Sequence, residues 1–139
     1  MNKNIVGLIG NAETCNKAAE ILQGFGFYKL EISPKVKEVA KYLLKLNDEE
    51  INTEVIDQIR DRGYHVNQFY WINLTLANLP ENKVRIVVPD LRVEDVIETV
   101  IAPYYLGKVE SCPPNIRCVD SINLKENLEK LFKPASLAS

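Results

Sequence analysis

The apolar positions along this chain change period repeatedly, and each change predicts an element. Lys3–Ile9 holds a short continuous apolar run, which predicts a buried strand. After Gly10 and a polar turn, an amphipathic helix is expected from about Asn16 to Gln23, ended by Gly24 and Gly26. Phe27–Ile32 reads as a second strand. Pro34 then opens a helix with Val36, Val39, Ala40, Leu43 and Leu44 on one face. Asp48 caps a further helix, in which Ile51, Val55, Ile56 and Ile59 recur until Gly63 stops it. Gln68–Leu79 is helical in pattern, and Pro80 with Asn82 marks a turn. The β-branched run Lys83–Val88 predicts a buried central strand. Val93–Ala102 returns to helical spacing, and Leu106–Glu110 and Ile116–Val119 are short strands. Asn123 and Glu126 predict a capping box for a last helix, Leu124–Phe132.

Strands alternating with helices predict an α/β fold built on a parallel sheet. Ligands of such folds gather at the carboxyl ends of the strands. That rule places Gly10–Lys17, Ser33–Lys37 and Asp90–Arg92 along one rim.

Composition narrows the classes. A chain of 139 residues suits one domain, 1–133, with a disordered tail at 134–139. Hydrophobic residues make up 46% and charged residues 26%, as in ordinary globular proteins. A net charge of −2 argues against a general nucleic-acid binder. No apolar run approaches the roughly 20 residues of a membrane-spanning helix, and MNKNIVGLIG reads as a strand and not as a signal peptide. The cysteines are Cys15, Cys112 and Cys118, none in a C-x-x-C pair, and His65 is the lone histidine. Zinc is therefore not expected. The odd cysteine count favours free thiols in a reducing, cytoplasmic compartment over a Cys112–Cys118 disulfide. Cys15 is either a thiol activated by a helix N-terminus or a small residue filling space.

One segment carries candidate chemistry. IVGLIGNAETCNKAAEIL has the strand–loop–helix context of a phosphate-binding loop, whose pattern is G-x-x-x-x-G-K-[ST]. Counted from Gly10, the second glycine falls on Cys15, the lysine on Asn16 and the hydroxyl residue on Lys17. The glycines would let backbone amides curl around phosphate, the lysine would neutralise charge, and the hydroxyl would hold Mg²⁺. Glu13 would repel an anion. A loop one residue longer puts Lys17 in the lysine position but leaves Ala18 at the magnesium position.

Four segments in register resemble the deoxynucleoside monophosphate kinase-like branch of the P-loop nucleotide kinases, found often in phages and other viruses. They are GLIG with AAEIL, GFYKLEISPKVKEVA, NQFYWINLTLANLPENKVRIVVPDLRVEDV and CVDSINLKENLEKLF. The resemblance covers most of the chain and implies a three-layer kinase-like fold. It implies a donor-phosphate side with Gly10, Thr14 and Lys17, and an acceptor side with Lys37, Trp71 and Arg92. Asp90 and Arg92 match a D-x-R motif near the phosphates, with Asp90 as the weak metal candidate. If the protein were active, the catalytic set would be Asp90, Arg92 and Lys17, with ATP and Mg²⁺ as cofactors. The departures are the missing Gly-Lys-Ser/Thr, Pro34 where an acidic residue is expected, and a short Leu106–Asn115 segment in place of an arginine-bearing lid.

Each candidate also has a plainer role. Asp90 could cap a turn, Arg92 could pair with a neighbouring carboxylate, Trp71 could be core and Lys35 and Lys37 a solvated helix face. Arg60 and Arg62 read as a solvated helix end. Three functions follow. The first is a degenerate nucleotide-kinase-like protein without phosphoryl transfer, binding a nucleoside monophosphate or other small anion. The second is a residual deoxynucleoside monophosphate kinase using Lys17. The third is a structural or interaction module, with Tyr104, Tyr105 and Leu106 as an interface toward a homo-oligomer or protein partner.

Overall fold

The computed structural model describes residues 4–77, 79–96 and 101–133. Five strands form one all-parallel sheet: β1 (Asn4–Gly10), β2 (Tyr28–Lys29), β3 (Arg85–Val88), β4 (Ile101–Leu106) and β5 (Arg117–Val119). Their order is β2-β3-β1-β4-β5. Five helices cover it: α1 (Ala12–Gly24), α2 (Ser33–Leu44), α3 (Thr53–Val66), α4 (Tyr70–Leu76) and α5 (Leu124–Phe132). The expected α/β class is therefore observed, as three layers.

Alternation along β1 decides which helices lie where, because successive strand side chains point to opposite faces. Val6 and Leu8 join Val87, Leu106 and Val119 in a core with Ala18, Leu22, Leu128 and Phe132 of α1 and α5. Ile5 and Ile9 join Ile86, Val88 and Ile101 in a second core with Val36, Trp71 and Ile72 of α2 and α4. β1 is the middle strand, in register with β3 through Ile5↔Ile86 and with β4 through Ile5↔Ile101. The β-branched run expected as a buried central strand is β3, an interior strand beside β1, with the strand confined to Arg85–Val88.

Several boundaries differ from the sequence pattern, for physical reasons. Helix α1 starts at Ala12 and not near Asn16, because the Asn11 side chain caps it by accepting from the Thr14 amide. β2 is confined to Tyr28–Lys29, since the Ile32 and Ser33 amides turn to Asp90. Asp48 caps no helix. It binds Lys37 and Lys41 of α2, and Asn52 caps α3 through the Val55 amide. Gly63 does not stop α3, which runs on to Val66; it faces the Trp71 indole, where a β-carbon has no room. Helix α4 is shorter than Gln68–Leu79.

The Val93–Ala102 helix is not formed as expected. Val93–Asp95 is a single 3₁₀ turn, and Ile101 and Ala102 belong to β4, paired with Ile5 and Val6. Residues 97–100 lie outside the described residues. The strand expected over Leu106–Glu110 is replaced by the end of β4 and a 3₁₀ turn at Val109–Ser111. Helix α5 has the expected bounds, but Asn123 adopts a left-handed conformation (φ 61°) and makes no capping bond. Lys3 and the tail 134–139 lie outside the described residues. Among the described residues no helix is long and apolar enough to cross a membrane.

Candidate functional site

The carboxyl edge of the sheet was the expected site, and its first segment is the turn from β1 to α1. Asn11 alone separates strand from helix. Gly10 has φ 141°, a region that glycine adopts freely, and a β-carbon there would lie 2.7 Å from the Leu106 carbonyl oxygen. Gly10 is thus required by backbone geometry. Ala12–Cys15, expected as a loop around phosphate, are instead the first turn of α1. Two amides of this turn already have acceptors: Thr14 donates to Asn11 Oδ1 at 3.2 Å and Cys15 to the Asn11 carbonyl at 2.9 Å. Cys15 is buried, and burial followed by the Asp90 charge pushes its thiol up to about 11. It fills space as a neutral thiol and is not an activated one.

Beyond β3, every expected ligand group has an internal partner. Asp90 accepts from the Ile32 amide at 2.9 and 3.1 Å and from the Ser33 amide at 2.8 Å. Helix α2 has no capping side chain of its own, so Asp90 supplies its cap from the turn after β3. Both carboxylate oxygens are engaged, which disfavours the expected metal role. Arg92 donates to Asp57 at 2.7 Å and to Asp61 at 3.1 Å, two carboxylates one turn apart on α3. Its charge is balanced within the fold, by α3 carboxylates and not by the sequence neighbours Glu94 or Asp90.

Beneath this pair lies a buried one that sequence reasoning missed. Arg60 is 3% exposed and Asp95 is fully buried. They meet at 2.6 Å, and Arg60 also donates to the Asp90 carbonyl at 2.7 Å and to the Tyr64 hydroxyl at 2.8 Å. Burial opposes the Arg60 charge, but Asp95 and Tyr64 outweigh it and hold the guanidinium above its ordinary value. Tyr64 is likewise held well above its ordinary value by burial. Asp95 Oδ2 also accepts from the Arg92 amide, while Oδ1 has no partner among the described residues. Arg60 was read as a solvated helix end. It stands four residues after Ile56 and one after Ile59, on the apolar side of α3, and that spacing was the available signal.

The acceptor-side candidates do not converge. Trp71 is 1% exposed, and its indole N–H donates to the Arg60 carbonyl at 2.8 Å, so the ring is core and out of reach of a base. Lys37 pairs with Asp48 at 3.4 Å. The Tyr104–Leu106 segment belongs to an interior strand, with Leu106 buried and both tyrosines half-buried.

Thr14 and Lys17 do come together, in a cleft of about 800 Å³ between the N-terminal ends of α1 and α5. Ser121, Asn123 and Lys125 line the same cleft, with Glu13 and Glu126 as opposing charges. Among the described residues neither lysine forms an ion pair, and no group of three or more His, Cys, Asp or Glu is placed to hold a metal. The three thiols are free.

The fold so defined is a three-layer α/β protein on a parallel sheet with β1 at its centre. Compared with protein-family models, the chain matches none. Neither the curated proteins nor the solved structures give a match.

Proposed function

We propose that this protein is a nucleotide-kinase-like scaffold without phosphoryl-transfer activity, retaining only the binding of a nucleoside monophosphate or another small anion. One observation carries the reading: two of the three charged groups that transfer would need, Asp90 and Arg92, are held by the protein itself. Asp90 caps α2, and Arg92 bridges Asp57 and Asp61. A one-residue turn stands where a phosphate cradle would be. Phosphoryl transfer depends on charge stabilisation by groups free to meet the phosphates, and here Asp90 and Arg92 are occupied. Anion binding is supported by the α1–α5 cleft, where Lys17 and Lys125 stand beside Thr14 and Ser121. The kinase-like part rests on the sequence resemblance together with the parallel three-layer sheet.

The test is calorimetric titration with nucleoside monophosphates, inorganic phosphate, ADP and ATP, with and without Mg²⁺, paired with an assay for ADP formation. Weak, Mg²⁺-independent monophosphate binding that falls with Lys17→Glu is expected, with no ADP formed. Robust Mg²⁺-dependent ADP formation, abolished by Asp90→Ala or Lys17→Met, would overturn the proposal in favour of a residual kinase.

A further inference from the structure

Helix α2 outruns the core it covers. Its buried positions end at Ala40, and Leu43 and Leu44 in its last turn are 66% and 55% exposed. Val66, in the last turn of α3, is 85% exposed. These side chains line an apolar groove of about 590 Å³ between the two helices, together with Val39, Val55 and Ile59. Small-molecule sites have this size and character, mostly apolar with a few polar groups that fix orientation. Among the described residues, Arg62 is the one charged side chain in the lining, with Gln58 one turn before it on α3. Arg62 is also uncommitted. It is exposed, and among the described residues it forms no ion pair. Asp57 and Asp61, the carboxylates nearest to it along α3, are both held by Arg92.

We infer that the α2–α3 groove binds an amphipathic carboxylate of the fatty-acid class, its alkyl tail along the apolar lining and its head group on Arg62. Both parts of the ligand follow from the lining. A guanidinium offers a planar fork of donors that matches a carboxylate bidentately. Arg62 stands about 10 Å from Val55 at the helical rise, so a head group held there leaves a tail of medium length to cover Ile59 and Val55. A wholly apolar ligand would leave the guanidinium without a partner, and inorganic phosphate would leave the apolar lining in water. A cationic amphiphile would meet Arg62 as a like charge. The groove is separate from the α1–α5 cleft, because α2 and α4 pack on one core of the sheet and α1 and α5 on the other.

Trp71 borders the groove and is the one tryptophan of the chain, so its fluorescence reports occupancy. The test is titration of the full chain with decanoate below its micelle concentration, read by that fluorescence and by calorimetry. Saturable binding of one decanoate per chain is expected, tightening roughly threefold per methylene from octanoate upward. Decyltrimethylammonium, with the same tail and the opposite head, should bind roughly tenfold more weakly. Arg62→Glu should reverse the order of the two head groups, and Leu43→Asp should weaken both ligands. The circular-dichroism spectrum should not change in either variant, since both side chains are exposed. Lys17→Glu should leave decanoate binding as it was. Absence of saturable decanoate binding overturns the inference, whether or not a second copy of the chain or a peptide is then found in the groove. Equal affinity for the two head groups, or indifference to Arg62→Glu, overturns it equally.

Discussion

The two halves of the carboxyl edge began as equals in the sequence and ended as opposites in the fold. On the α2–α3 side, Asp90, Arg92, Arg60 and Asp95 form one polar hub that joins β3 to two helices. On the α1–α5 side, Lys17 and Lys125 face an open cleft with no ion pair among the described residues. A charge inside the hub is held where desolvation makes every missing partner expensive, and a charge in the cleft is held by water. The same residue types therefore stabilise the fold on one side and remain available to a ligand on the other. Substitutions should separate the halves, stability responding on the hub side and binding on the cleft side.

The largest effect is expected at the buried pair. Arg60→Met strands the Asp95 charge, one of whose oxygens already lacks a partner. Removing one member of a buried ion pair costs about 3–5 kcal/mol, so the urea midpoint should fall steeply. The double variant Arg60→Met/Asp95→Leu should recover much of the loss, since no orphaned charge is left. Next comes Asp90→Ala, which leaves the first amides of α2 without an acceptor. A loss of about 1–2 kcal/mol is expected, the range for a helix cap, with no dependence on Mg²⁺. A stability loss that appears only when Mg²⁺ is present would return Asp90 to the metal role.

How much of this was legible follows from how far apart the partners stand. Helix α5 and the apolar face of α2 through Ala40 were readable because local periodicity determines them. The class of fold was readable from strands alternating with helices. Asp90 was recognised as important, but its partners are 57 and 58 residues away, and no local pattern reports a cap supplied from a distant turn. The Arg60–Asp95 pair, 35 residues apart, was hidden for the same reason. The supposed phosphate loop failed differently. Its strand and helix were both real, but Asn11 shows that an early cap can absorb the intervening loop into the helix.

Arg92 sharpens the comparison from within the hub. Its two ion pairs look substantial, yet its side chain is 31% exposed and Asp57 and Asp61 are 53% and 66% exposed. Water and salt screen such pairs, so Arg92→Ala should cost less than about 1 kcal/mol, measured by the same denaturation. Lys17→Glu, across the edge, should leave stability within about 0.5 kcal/mol and change anion binding alone. If Lys17→Glu proved as destabilising as Arg60→Met, the division between the halves would collapse.

The smallest effect is a pH slope from Cys15, which sits where the two halves meet. Its thiol is raised from 9.0 to about 11 in the fold by burial, then by the Asp90 charge. Above pH 9 the unfolded chain releases this proton while the folded chain keeps it. The unfolded state then binds fewer protons, so stability falls as pH climbs from 9 toward 11 and levels off once the folded thiol also ionises. Tyr64 adds a slope of the same sign, but only above its ordinary value of 10.0. Cys118, also raised from 9.0 by burial and then by its neighbour Cys112, adds a slope of the same sign between pH 9 and 10, so the Cys15 contribution is read as the difference between the native chain and Cys15→Ala. Urea midpoints across that interval should decline in the native chain and decline less in Cys15→Ala. Equal slopes would mean that the thiol ionises as readily in the fold as out of it, and that the start of α1 is open to solvent and ligand after all.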